Sequence, residues 1–176
     1  MTAGRGDPGT DQVGARIVEA ALQLLRSGGP RAVTMQAVSE STGIAKTTIY
    51  RRHRDRRALL TSSLEHLAQR PQIDQGATAA QRLTWVIRQS VEVIANGIGV
   101  GGFAALLTNE DPDFSEVFRR ILVTYREQSL AVLAPDTHDG DTVVDMIVGS
   151  YIAEFARTGT VDQAWSDRIF AQLRND

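Results

Sequence analysis

Apolar residues recur at a helical period along almost the whole chain, and this pattern restricts the fold more than any other feature. Val13, Ile17, Ala20, Ala21, Leu24 and Leu25 form the stripe of an amphipathic helix. Ser27-Gly28-Gly29-Pro30 stops it, glycine suiting a left-handed end and proline being unable to continue. Thr34 is placed to cap a short second helix over 35–41, Gly43 breaks it, and a third short helix covers 45–52. Asp55 caps a fourth over 56–70, with Leu59, Leu60, Leu64 and Leu67 on one face. Residues 71–78 read as a boundary. Beyond it the spacing predicts helices over 79–95, 103–108, from Asp113 onward with Glu116 completing a capping box, 142–157, and 161–174 capped by Thr160 and Gln163. The expectation is an all-α chain of about nine helices, four before residue 71 and five after, with no strand and no internal repeat.

Composition narrows the function. At 176 residues and 42% apolar the chain can bury a core. It has no cysteine, which excludes disulfides, thiolate metal sites and a cysteine nucleophile. No apolar run approaches the roughly 18–20 residues of a membrane helix. Residues 1–11 are polar and Gly-rich, lack a signal-peptide core and read as a disordered tail, so a cytoplasmic protein without membrane attachment is expected. The net charge of −2 hides an asymmetry: residues 1–70 carry 11 Lys and Arg against 6 Asp and Glu, while 71–176 carry 8 against 15. Only the first part is suited to a polyanion.

The stretch TMQAVSESTGIAKTTIYRRHRDRRALL, residues 34–60, carries the chemistry. Two short helices joined through a Gly-containing turn make a helix-turn-helix, and Met35, Val38, Ile44 and Ile49 are spaced to pack them together. Lys46, Thr47, Thr48, Tyr50 and Arg51 lie outward on the second helix. They offer a cation, hydroxyls, a phenol and a guanidinium to phosphates and base edges in a major groove. The run 51–57 adds five arginines in seven residues, which would meet the phosphate backbone.

These residues resemble the TetR family of regulators. Its pattern is a helix, then T-x-x-x-[IV]-A-x-x-[AS]-G-[VI]-S-x-x-T-[LI]-Y-x-x-F and an S-K-x-x-L-type start to the fourth helix. Thr34, Val38, Gly43, Ile44, Thr48, Ile49, Tyr50, Leu59 and Leu60 match it. The run YRRHRDRRALL is similar to a YRRW-x-S-K-x-x-L subgroup, and LLTNEDPDFSEVFRR and DMIVGSYIAEFARTG are similar to that subgroup's second domain. The resemblance implies phosphate contacts by Thr34 and Tyr50 and base reading by Lys46 and Thr47. Thr48, Arg51 and Arg52 are further DNA contacts, and Arg56 stands for a phosphate-binding lysine. Ala45 replaces a capping serine. His53 replaces an aromatic residue beneath Tyr50, either filling that space as a neutral imidazole or lying at the surface near arginines.

The implied domains are a three-helix DNA-binding domain over 12–70 and a helical ligand-sensing and dimerisation domain over 79–176. The candidate pocket is Trp85, Gln89, Phe103, Leu106, Phe118, Tyr125, Met146 and Tyr151, with Asn109 as a second polar anchor. The candidate dimer face, on the last two helices, is Val144, Val148, Gly149, Ile152, Ala153, Trp165 and Ile169. The implied protein is a homodimeric repressor bound to a palindromic operator in double-stranded DNA and released by a small-molecule effector. A dimer that has lost specific DNA binding is the alternative, and an enzyme on a helical scaffold a third.

Other patterns point elsewhere. Residues 97–102 match G-x-G-x-x-G spacing but follow a helical period rather than a strand, so they read as a flexible connection. His53, His66 and His138 stand far apart, and Asp136, Asp139, Asp141 and Asp145 lack a calcium-loop pattern. No catalytic residue, metal site or cofactor is expected.

Overall fold

In a computed structural model the described residues are 8–69, 71–133 and 139–174, with the side chains of 8–11 left aside. The expectations for residues 1–7, for Arg70, and for Asp136 and His138 lie outside them. The described chain is all-α, without strands.

The first compact unit comprises residues 1–67 and 97–119. Helix α1, Pro8–Gly28, begins earlier than expected and takes residues 8–11 from the supposed tail. Proline suits a first turn, where its missing N–H is unpaired in any case. Ile17, Ala21 and Leu25 are buried on the predicted stripe. A single 3-10 turn, Pro30–Ala32, precedes α2, Met35–Thr42, and α3, Lys46–Arg52. Thr34 Oγ1 accepts from Ala37 N at 3.0 Å, the expected cap. Gly43 ends α2 at φ 70°, a left-handed turn natural to glycine. Arg16 of α1 donates to the carbonyl of Thr42 at 2.7 Å, serving one of the last oxygens of α2. Helix α4, Arg56–Leu67, is capped by Asp55, whose Oδ1 accepts from Ala58 N at 2.7 Å. Helix α1 packs against α2 and α4, with Val38, Ile49, Leu59, Leu60 and Leu64 all buried.

The expected loop at 97–102 is helical instead, with a left-handed kink at Gly99, φ 71°. Helix α5, Ala79–Glu92, passes through a π-helical segment, Val93–Ile98, into α6, Gly99–Thr108. Gly99 is suited to this left-handed conformation, and Gly102 to tight packing on Ile98. A Cβ on Gly99 would lie 3.5 Å from the carbonyl oxygen of Arg26 on α1, and one on Gly102 would lie 3.0 Å from Ile98 Cβ. Joined this way, Ala79–Thr108 contains an 18-residue window apolar enough to cross a membrane, which corrects the reading of separate short runs. Val86, Ile87, Val93, Ile94 and Ile98 within it are buried in the protein, as in any core helix.

Helix α7, Pro112–Val132, starts one residue before the expected Asp113. Asp111 is its cap, with Oδ1 accepting from Phe114 N at 3.1 Å and proline at the first position. Phe114 and Phe118 are buried and stacked with centroids 5.4 Å apart.

The second unit comprises residues 68–96 and 120–176. Thr78 and Gln81 form a capping box at the start of α5. Helices α8, Gly140–Thr158, and α9, Trp165–Leu173, pack on α5 around Val86, Ile87, Leu133, Val144, Ile147 and Trp165. The expected box at Thr160 and Gln163 does not cap α9; Asp162 accepts from Ala164 N instead. Two of the aspartates with calcium-like spacing are engaged by a cation, Arg126 donating to Asp141 at 2.5 Å and to Asp145 at 2.7 Å, while Asp139 accepts from Thr142 N at 3.3 Å.

Candidate nucleic-acid interface

Helix α3 sorts its side chains by turn. Ile49 is completely buried and His53, four residues on, is buried beside the helix end, so this side faces inward. Thr48 and Arg52 are half-buried. Lys46, Thr47, Tyr50 and Arg51 are exposed, and their spacing of three and four places them on one face. Tyr50 is 51% exposed, an aromatic ring left in water beside cations. Thr34, at the start of α2, is exposed as well. Lys46 is the chain's only lysine. Neither Lys46 nor Arg51 forms an ion pair among the described residues. Ala45 makes no side-chain cap, as its methyl group dictates.

His53 fills space as an imidazole. Burial lowers its pKa; a hydrogen bond to the Ala58 backbone opposes this, and the charge of Arg52 reinforces it. The group is therefore held neutral, the uncharged form that an apolar setting favours.

The arginine run divides. Arg54 is almost fully exposed and lies 3.2 Å from its neighbour Asp55. Arg57 is turned to the acidic start of α7, pairing with Glu116 and, at 3.5 Å, with Asp113. Arg56 does not stand free for a phosphate. Its Nε donates to the Val33 carbonyl at 2.8 Å and Nη2 to the Pro30 carbonyl at 2.7 Å, while Nη1 and Nη2 fork onto Asp111. Five arginines facing one polyanion is thus not the arrangement found: Arg56 and Arg57 face carboxylates at the start of α7, and Arg54 lies beside Asp55. Asp111 is only 7% exposed. Burial works against its charge, but hydrogen bonds from Arg56 and from Phe114 N, with the charges of Arg56 and Arg31, outweigh this and hold its pKa below the ordinary value. Sequence reasoning missed Asp111, although Asp-Pro ahead of an apolar helical run is a start signal.

The remaining candidates scatter. Phe103, Leu106, Asn109 and Phe118 belong to the first unit, and Trp85, Gln89, Tyr125, Met146 and Tyr151 to the second. Trp85 and Gln89 line one cleft of about 490 Å³, together with Ile73, Thr84 and Arg88. Tyr151 meets Trp165 edge to face at 5.3 Å, Tyr125 is buried, and Met146 is 50% exposed, which takes it out of any interior lining. Of the dimer candidates, Val144 and Trp165 are buried in their own subunit's core. Val148, Ile152 and Ile169 are half-buried, and Gly149 and Ala153 are exposed.

Residues 17–62 match the sequence profile of the bacterial regulatory proteins of the tetR family. No curated protein matches the chain. Fold, exposed helix face and profile together define a helix-turn-helix DNA-binding transcription regulator. Within that class, the chain carries over residues 17–62 a DNA-binding domain of the tetR family.

Proposed function

We propose that this regulator is a homodimeric repressor that binds a palindromic operator and leaves it when a small molecule binds the second unit. The observation that carries the reading is the single exposed face of α3, where Lys46, Thr47, Tyr50 and Arg51 stand over the buried Ile49. A helix of this kind inserted in the major groove reads one half-site, and two copies about 34–36 Å apart read a palindrome. Support for a dimer comes from α8 and α9, whose Met146, Gly149 and Ala153 are exposed next to the half-buried Val148, Ile152 and Ile169. Small residues there admit a close partner helix.

Support for an effector comes from the cleft holding Trp85 and Gln89, whose volume of about 490 Å³ falls in the range of small-ligand sites. An indole wall with Gln89 and Arg88 at its edge suits an amphipathic molecule. Such a ligand acts by binding more tightly to the dimer state whose recognition helices are wrongly spaced. The protein would work in the cytoplasm, where the chromosome lies.

Selection of duplexes from a random pool, at near-physiological salt and with competitor DNA, tests the reading. A palindromic consensus is expected, with affinity lost in Lys46→Ala and Tyr50→Ala variants that remain folded. A folded dimer that enriches nothing, or variants that bind as well as the parent, would overturn it.

A further inference from the structure

The family resemblance puts a phosphate-binding cation at residue 56, yet four of the five guanidinium N–H donors of Arg56 are committed within the protein. Two of these bonds go to the carbonyls of Pro30 and Val33. Val33 immediately precedes Thr34, whose hydroxyl caps α2. The other two go to Asp111, which is itself fixed by accepting from Phe114 N, with the Phe114 ring completely buried below. A continuous polar chain therefore runs from the start of α7 through Asp111 and Arg56 to the residues that launch α2, and through α2 to α3. Planar forks of this kind fix direction as well as distance.

We propose that Asp111 is a positioning residue for DNA reading: by holding Arg56 in a fork, it sets the main chain ahead of α2 and so the aim of the recognition helix. The inference rests on the reading of α3 as the DNA-contacting helix. It assigns Arg56 to internal scaffolding rather than to a phosphate.

The test uses the full-length protein, a duplex enriched from the random pool, and a scrambled duplex of equal length. Asp111→Asn keeps an acceptor for Phe114 N but loses the charge that grips Arg56. Arg56→Lys keeps a cation but loses the fork. The proposal expects both variants to lose about tenfold in affinity for the enriched duplex, with the double variant no worse than either single one. Binding to the scrambled duplex and the slope of log affinity against log salt should stay at parental values, since no phosphate contact is removed.

Charge alone predicts the opposite sign for Asp111→Asn, because removing a carboxylate near a polyanion tightens binding. Tighter binding by that variant overturns the proposal, as does a salt slope lowered by about one in Arg56→Gln, which removes the cation outright. Unchanged affinity in both variants overturns it as well. Circular dichroism at the assay temperature gives the folded fraction by which each affinity is normalised. A defect that disappears on this correction marks the clasp as structural only and overturns the proposal. Failure of the parent protein to enrich any duplex sinks the DNA-reading assignment itself, a separate outcome.

Discussion

Gly43 offers a clean test of how the helix-turn-helix is built. It ends α2 at φ 70° and ψ 6°, and its N–H donates to the Ser39 carbonyl. A Cβ added there would meet nothing within 4 Å. Gly43→Ala therefore introduces no clash, and its whole effect comes from the backbone. An L residue in the left-handed region costs about 1–2 kcal/mol. The alanine also narrows the unfolded ensemble, which returns about 0.4–1 kcal/mol. The expected net loss is about 1 kcal/mol. Gly43→Asn should lose less than half of that, because asparagine tolerates this region. With an m-value of about 1–3 kcal/mol/M in urea, the midpoint for alanine falls by about 0.3–1 M at constant m. Both tryptophans, Trp85 and Trp165, lie in the second unit, so their fluorescence would follow the wrong region. Amide hydrogen exchange at Ile49 and Leu64 reports the first unit directly. Parental protection in Gly43→Ala, or equal losses in the alanine and asparagine variants, would refute the argument.

Three further outcomes are expected. His53 has a folded pKa below its ordinary 6.5, so the unfolded chain binds the proton more readily and stability declines as pH falls from about 6.5. His53→Phe should remove that decline in pH-dependent melting curves, and an unchanged pH profile would show that the imidazole is not held neutral. Because Lys46 is the only lysine, reductive methylation read from the peptide carrying it should be blocked by the enriched duplex and not by the scrambled one. Lys46→Ala should cost about 1–3 kcal/mol with the enriched duplex and relax base preference at one position per half-site, and an intact consensus would remove Lys46 from base reading.

What could be read from the sequence was what local chemistry determines. The stripe of α1, the Thr34 cap, the turn at Gly43 and the outward set on α3, except the half-buried Thr48, follow from spacing within one or two helical turns. The errors arose where long-range packing decides. Arg56 and Asp111 are 55 positions apart, and no local pattern distinguishes an arginine bound for a phosphate from one bound for a distant carboxylate. The glycines at 97–102 resemble a loop by composition, yet the stretch is helical, turned by the left-handed Gly99. Val144 and Trp165 sit on helical stripes that suit a partner as well as a core, and burial alone separates the two.

The makeup of the first unit also bears on when it can form. During synthesis residues 1–67 leave the ribosome without Phe114, Phe118 or Asp111, and residues 68–119 have still to follow. At about 5–20 residues per second the nascent helix-turn-helix waits several seconds for its last wall. In that interval the carbonyls of Pro30 and Val33 and the Arg56 guanidinium lack their anchoring carboxylate. The same circumstance governs recombination between regulators. A crossover in the loop at 71–78, where the sequence suggests a seam, would separate Arg56 from its own Asp111, whereas an exchange that carries 97–119 along with 1–67 transfers the unit whole.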